Sequence, residues 1–124
     1  MSERLRVRGE SPYEEPIGFS RALRVGDRVL VSGTGPVWPD GHCDTDPEAQ
    51  ARRCFELIGR ALADVVRTRM FIVDAADSEA IGAAHAYAMR EARPAATMVV
   101  VAGLLDPRWK VEIEAEATID RRDL

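Results

Sequence analysis

Three glutamates occupy every second position in KVEIEAEATI, residues 110–119. Side chains of an extended chain point alternately to two faces. The pattern therefore predicts a β-strand with Glu112, Glu114 and Glu116 on one face and apolar residues on the other. Carboxylates in such a row face water, pair with arginines, or hold a water molecule for a reaction. This strand is the first candidate for chemistry, and the pattern alone leaves the three roles open.

Arginines occur in a second alternating stretch, VRTRMFIVD, residues 66–74. Its predicted polar face carries Arg67 and Arg69 together with Phe71 and Val73. If helices cover the apolar sides of both strands, the glutamates and these arginines share the uncovered face of one sheet. That face is too apolar to be left in solvent, and rings of identical chains commonly bury such faces. We therefore expect the protein to associate with copies of itself.

The elements before these strands follow from hydrophobic periodicity and turn signals. Extended segments are predicted near Ile17 to Leu23 and Arg28 to Ser32, with a hairpin turn at Val25-Gly26-Asp27. Residues 1–15 are predicted to be flexible or to form an edge segment. The stretch GTGPVWPDGHCDTDP is rich in turn-forming residues and is predicted to be a loop.

The first of two predicted helices begins at Asp46-Pro47, or in a competing register with Thr45 as the cap and Glu48 completing a capping box. Its apolar stripe comprises Cys54, Ile58, Ala61, Leu62 and Val65. The connection from this helix to the strand at residues 66–74 must be short.

The second helix is capped by Asp77 or Ser78 and ends before Arg93, because the residue before Pro94 favours extended geometry. Two last strands, ATMVVVA and KVEIEAEATI, are predicted to form a hairpin. The predicted order is β-β-α-β-α-β-β, with two helical crossovers that place both helices on one face of a sheet.

Length and charge limit the class of protein. The chain has 124 residues, 31% of them charged, and a formal net charge of −4. We predict a single domain over residues 1–124. The basic residues are scattered, which disfavours nucleic acid as a partner. Neither a membrane span nor a secretory signal is visible, so we expect no membrane partner and a cytoplasmic location.

The cysteines and histidines give no clear site. His42-Cys43-Asp44 follows a turn signal and lacks a second ligand cluster at zinc spacing, so no metal is predicted. His85 has no readable Asp or Ser partner, which favours a structural role over base catalysis. No glycine-rich phosphate loop is present, because GTG precedes no helix, and no cofactor is expected.

Five pieces of the chain occur in a familiar order: IGFSRALRVGDRVLVSGTGPV, EAQARRCFELIGRAL, VRTRMFIVD, RPAATMVVVAGLLDP and VEIEAEA. They resemble the Rid family of reactive intermediate deaminases, also called the YjgF/YER057c/UK114 or L-PSP endoribonuclease-like family, from about Ile17 to Ile119. The resemblance implies an α+β, chorismate-mutase-like fold, with a mixed β-sheet and two helices on one face. It also implies a homotrimer with a central β-barrel and small-molecule clefts between subunits.

In the deaminase branch of this family, an arginine two residues after a proline binds the carboxylate of a 2-imino or 2-enamino acid. Hydrolysis then releases ammonia and a 2-keto acid. A guanidinium suits this task because it pairs with a carboxylate through two hydrogen bonds. In this chain the position holds Ala96, so that arginine is absent. Arg69 and Arg93 are candidates to replace it, and each has an alternative structural or surface role.

The resemblance implies further site residues. Glu112 falls at the glutamate that positions the attacking water, and its alternative role is an inter-subunit or cross-strand ion pair with Arg67 or Arg69. The remaining candidates for substrate binding are Ser20, where the family has a tyrosine, Ser32, Gly33, Ala96, Thr97, and Met98, where the family often has a cysteine. Trp38 and Trp109 line or cover a pocket, or simply pack.

We therefore expect a homotrimer that binds, or binds and hydrolyses, a small carbonyl- or imine-containing metabolite at clefts between subunits. If the protein is an enzyme, it is a hydrolase or deaminase acting on a C=N bond. The alternatives are a 2-imino or 2-enamino acid deaminase using Arg69 or Arg93, a ligand-sensing trimer without catalysis, and, ranked last, an endoribonuclease or translation inhibitor. The expected partners are other copies of the chain and a small-molecule ligand.

Overall fold

A computed structural model describes residues 4–9, 11–59 and 64–119. The strands are β1 (Arg4–Val7), β2 (Ala22–Val25), β3 (Arg28–Thr34), β4 (Val65–Ile72), β5 (Ala95–Val100) and β6 (Val111–Thr118). The helices are α1 (Glu14–Ile17), α2 (Pro47–Ile58) and α3 (Ser78–Ala88), and a 3₁₀ turn covers Ala75–Asp77. Within the described residues the strands form a single sheet in the order β1-β2-β3-β6-β4-β5. This is a mixed sheet, because β4 and β5 are parallel and the other described pairs are antiparallel.

The predicted hairpin between the last two strands is wrong. β6 lies between β3 and β4 and is antiparallel to both. β5 pairs with β4 and forms one edge of the described sheet. Residues 101–110 carry the chain past β4, a distance of roughly 10 Å for two strand spacings, which a tight hairpin turn does not span.

The core lies between one face of the sheet and the helices α2 and α3. Every second residue of β6 points into it, which fits the alternation in the sequence. The buried side chains of β6, α2 and α3 include Val111, Ile113, Ala115, Ala117, Cys54, Phe55, Ile58, Ile81, Ala84 and Met89. The predicted α+β fold, a mixed sheet with two helices on one face, is confirmed.

Helix α2 begins where Asp46-Pro47 predicted. The Asp46 side chain accepts a hydrogen bond from the Ala49 amide at 3.1 Å, so Asp46 and not Thr45 is the cap. The helix ends at Ile58, because Gly59 adopts a left-handed φ of 79°. Val65 therefore lies in β4 and not in the helical stripe, where the sequence placed it.

The predicted stripe of α2 also included Ala61 and Leu62, which lie outside the described residues. At the start of β4, the register against β6 shifts between Val65 and Arg67. Val65 takes the buried position there and Val66 is exposed, which corrects the predicted placement of Val66 beside Thr68.

Helix α3 ends at Ala88, before Arg93 as predicted. Asp77 is its N-cap residue, without a side-chain cap hydrogen bond. Arg93 is not extended, because its φ is 44°. The helix is closed by the Met89 amide, which donates to the His85 carbonyl, and the Arg93 amide then donates to the Met89 carbonyl at 2.8 Å in the turn that follows.

The N-terminal segment is more structured than the sequence suggested. Within the predicted strand from Ile17 to Leu23, the chain instead leaves α1, turns at Gly18 with a φ of 86°, and enters β2 only at Ala22. Residues 4–7 form the edge strand β1, which matches the edge alternative for residues 1–15. Residues 1–3 and 10 lie outside the described part of the chain.

Candidate functional site

The acidic row of β6 lies on the face of the sheet opposite α2 and α3. In the register with β4, Glu116 lies opposite Arg67, Glu114 opposite Arg69 and Glu112 opposite Phe71. Cross-strand neighbours of this kind are close enough to pair. The three carboxylates therefore have different partners available, although they belong to one repeating pattern.

Two of the glutamates form ion pairs. An oxygen of Glu114 lies 2.8 Å from Nη1 of Arg69, and an oxygen of Glu116 lies 3.0 Å from Nη2 of Arg28. Among the ion pairs of the described residues, none includes Glu112. The alternative role considered for Glu112, a pair with Arg67 or Arg69, is therefore not the arrangement found within one chain.

Glu112 also differs from its neighbours in its surroundings. Burial raises the pKa of its carboxyl group, the nearby charge of Glu114 raises it further, and Arg21 opposes the shift. A carboxylate that is half-buried and holds its proton more readily than usual is suited to exchanging protons with a substrate or with water.

The Glu112 side chain lies against Gly33. A Cβ atom at Gly33 would come closer to Oε1 of Glu112 than real atoms approach, and would lie 3.1 Å from its Cδ. Gly33 sits in an irregular part of β3, because the register against β6 shifts between Val31 and Thr34. A side chain at residue 33 would therefore push the Glu112 carboxylate away from the place it occupies here.

The residues beside Gly33 are tied to the segment before β2. The Ser32 hydroxyl donates to the Ser20 carbonyl at 2.6 Å, and the Ser32 amide donates to the Arg21 carbonyl at 3.1 Å. Ser32 can therefore accept a hydrogen bond from a ligand, but its own hydroxyl proton is engaged. Ser20, Ser32, Gly33 and Glu112 lie close together in one chain.

Arg21 joins this cluster of side chains, although no motif in the sequence indicated it. Its guanidinium donates to the Ser32 carbonyl at 3.3 Å and to the Thr34 hydroxyl. Burial lowers the pKa of Arg21, while Glu14 and, more weakly, Glu112 raise it. One signal was available, since alternation through the predicted strand placed Arg21 on the same face as the apolar Phe19 and Leu23.

The segment around Ala96 is not part of this cluster. Strand β4 lies between β5 and β6, so Ala96 and Thr97 are two inter-strand spacings, roughly 10 Å, from β6. Ala96 and Met98 lie opposite Thr68 and Met70, whose side chains are buried on the helix side. A cleft that contains both Ala96 and Glu112 therefore requires the β5 edge of another copy.

The two arginines considered as replacements occupy other positions. Arg69 is engaged with Glu114 on the uncovered face. Arg93 is exposed in the turn between α3 and β5. Neither guanidinium joins the described contacts around Glu112 and Gly33.

The aromatic candidates pack in the structure. The Trp109 ring covers Gly35, where a Cβ would lie 2.5 Å from its Cζ3 and Cη2 atoms. Trp38 lies beside His42, with ring centroids 5.1 Å apart. Both glycines of the GTG motif are thus places of close approach, one to a carboxylate and the other to an indole.

His85 and the cysteines have structural surroundings. His85 Nε2 lies 2.8 Å from the hydroxyl of the fully buried Thr68, and burial lowers the pKa of the imidazole. Cys54 is fully buried, and burial raises the pKa of its thiol far above the usual range. Among the described residues, no group of three or more His, Cys, Asp or Glu side chains is placed to hold a metal ion.

A hollow of about 520 Å³ lies on the uncovered face next to the Ser20 and Ser32 pair. Its walls include the apolar Leu23 and Leu30 and the paired Arg69 and Glu114. Apolar side chains also continue across this face, since Val99 on β5 is 41% exposed. A mixed surface of this kind is suited to contact with another protein surface.

Comparison with known proteins places this chain in a family. A family model described as Endoribonuclease L-PSP matches residues 13–119. An uncharacterized protein of Streptomyces coelicolor is 38% identical over 120 residues, which cover 90% of each chain. A RutC family protein of Haemophilus influenzae is 34% identical over 116 residues, covering 84% of this chain and 87% of the relative.

A solved structure extends the likeness to the whole fold. The crystal structure of Rv2704 from Mycobacterium tuberculosis, described as a member of the YjgF/YER057c/UK114 family, is 37% identical in sequence and has a TM-score of 0.84. The match covers 94% of this chain and 100% of the other. The chain therefore belongs to the endoribonuclease L-PSP family, which is the YjgF/YER057c/UK114 or Rid family named by the resemblance.

Family membership supports a role in binding a small molecule or in deaminase-type chemistry, and members are usually oligomeric. No helix of the described residues has the length and apolar character needed to cross a membrane.

Proposed function

We propose that this protein is a homotrimer that binds a small carbonyl- or imine-containing metabolite beside Glu112, in clefts between subunits, and that Glu112 holds the water that hydrolyses it. The observation that supports the proposal most strongly is the environment of the Glu112 side chain. Its carboxylate is half-buried against Gly33 and has no ion pair among the described residues, while its neighbours Glu114 and Glu116 are paired.

The chemistry follows from the acid–base properties of a carboxylate. Glu112 accepts a proton as water adds to the carbon of the C=N bond, and a proton is delivered to the nitrogen to give an amino alcohol. Transfer of the hydroxyl proton to nitrogen then breaks the C–N bond. Ammonia leaves and a carbonyl remains, so water is the only co-reactant.

The raised pKa of Glu112 fits a group that takes up and returns a proton in one cycle. The backbone at Gly33 and the lone pairs of Ser32 offer polar contacts for a small ligand. The expected ligand is therefore small and has a polar, planar reacting centre.

Assembly into a trimer is supported by the uncovered face and by the β5 edge. Phe71 and Val99 lie on this face among charged side chains, and burial against another copy would remove them from water. The proposed cleft contains the β5 edge of a second copy, with Ala96 and Thr97, beside the Glu112 end of the first.

The first experiment measures hydrolysis directly. The protein is incubated with 2-iminopropanoate generated in situ and with a neutral imine, and release of the carbonyl product is followed. A rate above buffer that is lost in Glu112→Gln supports the catalytic proposal. A rate equal to buffer with every imine rejects hydrolysis, and activity that survives Glu112→Gln rejects the role of that residue.

A second experiment tests binding apart from catalysis. A thermal-shift panel of 2-keto acids and aromatic carboxylates should contain a ligand that raises the melting temperature by mass action. The same ligand should stabilise a Gly33→Ala variant less, because the added methyl group displaces Glu112. A panel without any stabilising compound would contradict the proposed ligand class.

A further inference from the structure

The β3 segment under Glu112 is held from its other side by Arg21. The guanidinium contacts residues 32 and 34, and Glu112 lies against the glycine between them. This is the irregular part of β3, where the ladder to β6 is interrupted and backbone pairing alone fixes the chain less firmly. Arg21 therefore supplies contacts where the sheet itself does not.

We infer that Arg21 is a positioning residue for Glu112. By binding both residues that flank Gly33, it fixes the surface on which the Glu112 carboxylate rests. It also places a positive charge close to that carboxylate without pairing with it, as judged from the ion pairs of the described residues. The name positioning residue rests on the proposed function of Glu112.

Arg21 is itself held from behind. The Glu14 carboxylate accepts hydrogen bonds from the Gly9 amide at 2.9 Å and the Ser11 amide at 3.2 Å and is only 9% exposed. A Cβ at Gly9 would lie 2.8 Å from Oε2 of Glu14 and 2.9 Å from Cδ of Arg21, so the two side chains meet over this glycine. Glu14, the first residue of α1, thus places a buried negative charge close to Arg21.

Three titratable groups lie near Glu112, each on a different part of the chain. Glu114 is on β6, Arg21 precedes β2, and Cys54, whose thiol is neutral, is on α2. The residue opposite on β4 is the uncharged Phe71. Arg21 is therefore the cation that favours the ionised form of Glu112, against burial and Glu114.

The test is a titration that needs no ligand. The side-chain carboxyl of Glu112 is followed by carbon NMR from about pH 3 to about pH 9, a range that covers the titration of carboxyl groups. Its signal is assigned by its absence in Glu112→Gln. In Arg21→Met, which removes the charge and the hydrogen bonds, the midpoint should move to higher pH. Arg21→Lys keeps the charge, so its midpoint should stay closer to that of the native protein.

Three variants complete the design. Arg24→Met is the matched control, because Arg24 donates to the Gly26 carbonyl and lies away from Glu112, and its midpoint should not move. Thr34→Val removes one acceptor and keeps the charge, so the amides of residues 32–34 should exchange faster with little change in the midpoint. If Arg21→Met does not fold, the neutral Arg21→Gln takes its place.

The outcomes separate this inference from the proposed function. A midpoint in folded Arg21→Met or Arg21→Gln that coincides with the native one would overturn the inference, whatever the activity. A shifted midpoint in a protein without hydrolase activity would support the link between Arg21 and Glu112 and reject only the catalytic proposal.

Discussion

The two ends of the acidic face of β6 differ in a way that their sequence does not show. At one end Glu114 and Glu116 are joined to Arg69 and Arg28, and their charges are balanced by neighbours. At the other end Glu112 lies against a glycine, opposite a phenylalanine, and burial raises its pKa. The alternating pattern sets which face the carboxylates occupy, and the neighbouring strands decide what each one can do.

The largest expected difference between the two ends is in catalysis. Glu112→Gln should lower the rate of imine hydrolysis by about 10²- to 10⁴-fold, the usual contribution of a positioned acid–base group. Glu116→Gln, the matched change at the paired end, should keep most of the rate. The rates are measured under single-turnover and steady-state conditions. Equal losses in the two variants would show that Glu112 and Glu116 do not differ in their role.

The two glycines of GTG should separate stability from function. Gly35→Ala forces a methyl group against the Trp109 ring and should lower the free energy of unfolding by about 1–3 kcal/mol, as overpacking does. In Gly33→Ala the added methyl group meets the flexible end of Glu112, which can move away. This variant should therefore lose less stability than Gly35→Ala and more of the hydrolysis activity. Urea unfolding and the imine assay on both variants check this, and a Gly33→Ala protein with native activity would contradict the close contact.

Replacing Glu112 should also make the protein more stable. Because its pKa is raised in the folded state, the folded protein binds this proton more tightly than the unfolded chain, so stability falls as pH rises through the window between the ordinary and the raised pKa. Above that window Glu112→Gln should be more stable than the native protein, by no more than the roughly 0.5–2 kcal/mol of an ordinary stabilising substitution.

Below the ordinary value of 4.5 both states are protonated, and the gain should disappear. Thermal unfolding of the native protein and of Glu112→Gln at a series of pH values measures the difference. A variant that is less stable than the native protein at neutral pH would show that Glu112 is held by partners in the folded state.

The smallest effect is expected at the paired end. A double-mutant cycle on Arg69→Met and Glu114→Gln should give a coupling of about 0.2–1 kcal/mol, because both side chains are partly exposed. The coupling should shrink in high salt, where exposed pairs are screened. A coupling of several kcal/mol would mean that this pair is buried, for instance by another subunit.

Local patterns in the sequence predicted local structure well. The alternation in β6 gave its buried and polar faces, and Asp46-Pro47 gave the start of α2, because both signals act over a few residues. The insertion of β6 between β3 and β4 was missed, because the alternation of residues within a strand does not reveal which distant strand it pairs with.

The candidate site was found only in part for the same reason. Glu112, Gly33, Ser32 and Ser20 are candidates that the family resemblance implies, and they lie together in the structure. The role of Arg21 depends on an irregular register in β3, which the sequence signals only through a glycine. Helix α1 was missed because it is only four residues long. Strand β1 was predicted only as one of two alternatives, because all four of its side chains are exposed.

The proposed site requires the uncovered face to be shared between copies of the chain, so that Glu112 lines a cleft. The most direct measurement is light scattering with size-exclusion chromatography at micromolar concentration. We predict a single species with three times the chain mass of 13.7 kDa. A stable monomer would leave Glu112 open to solvent and would contradict the proposed site.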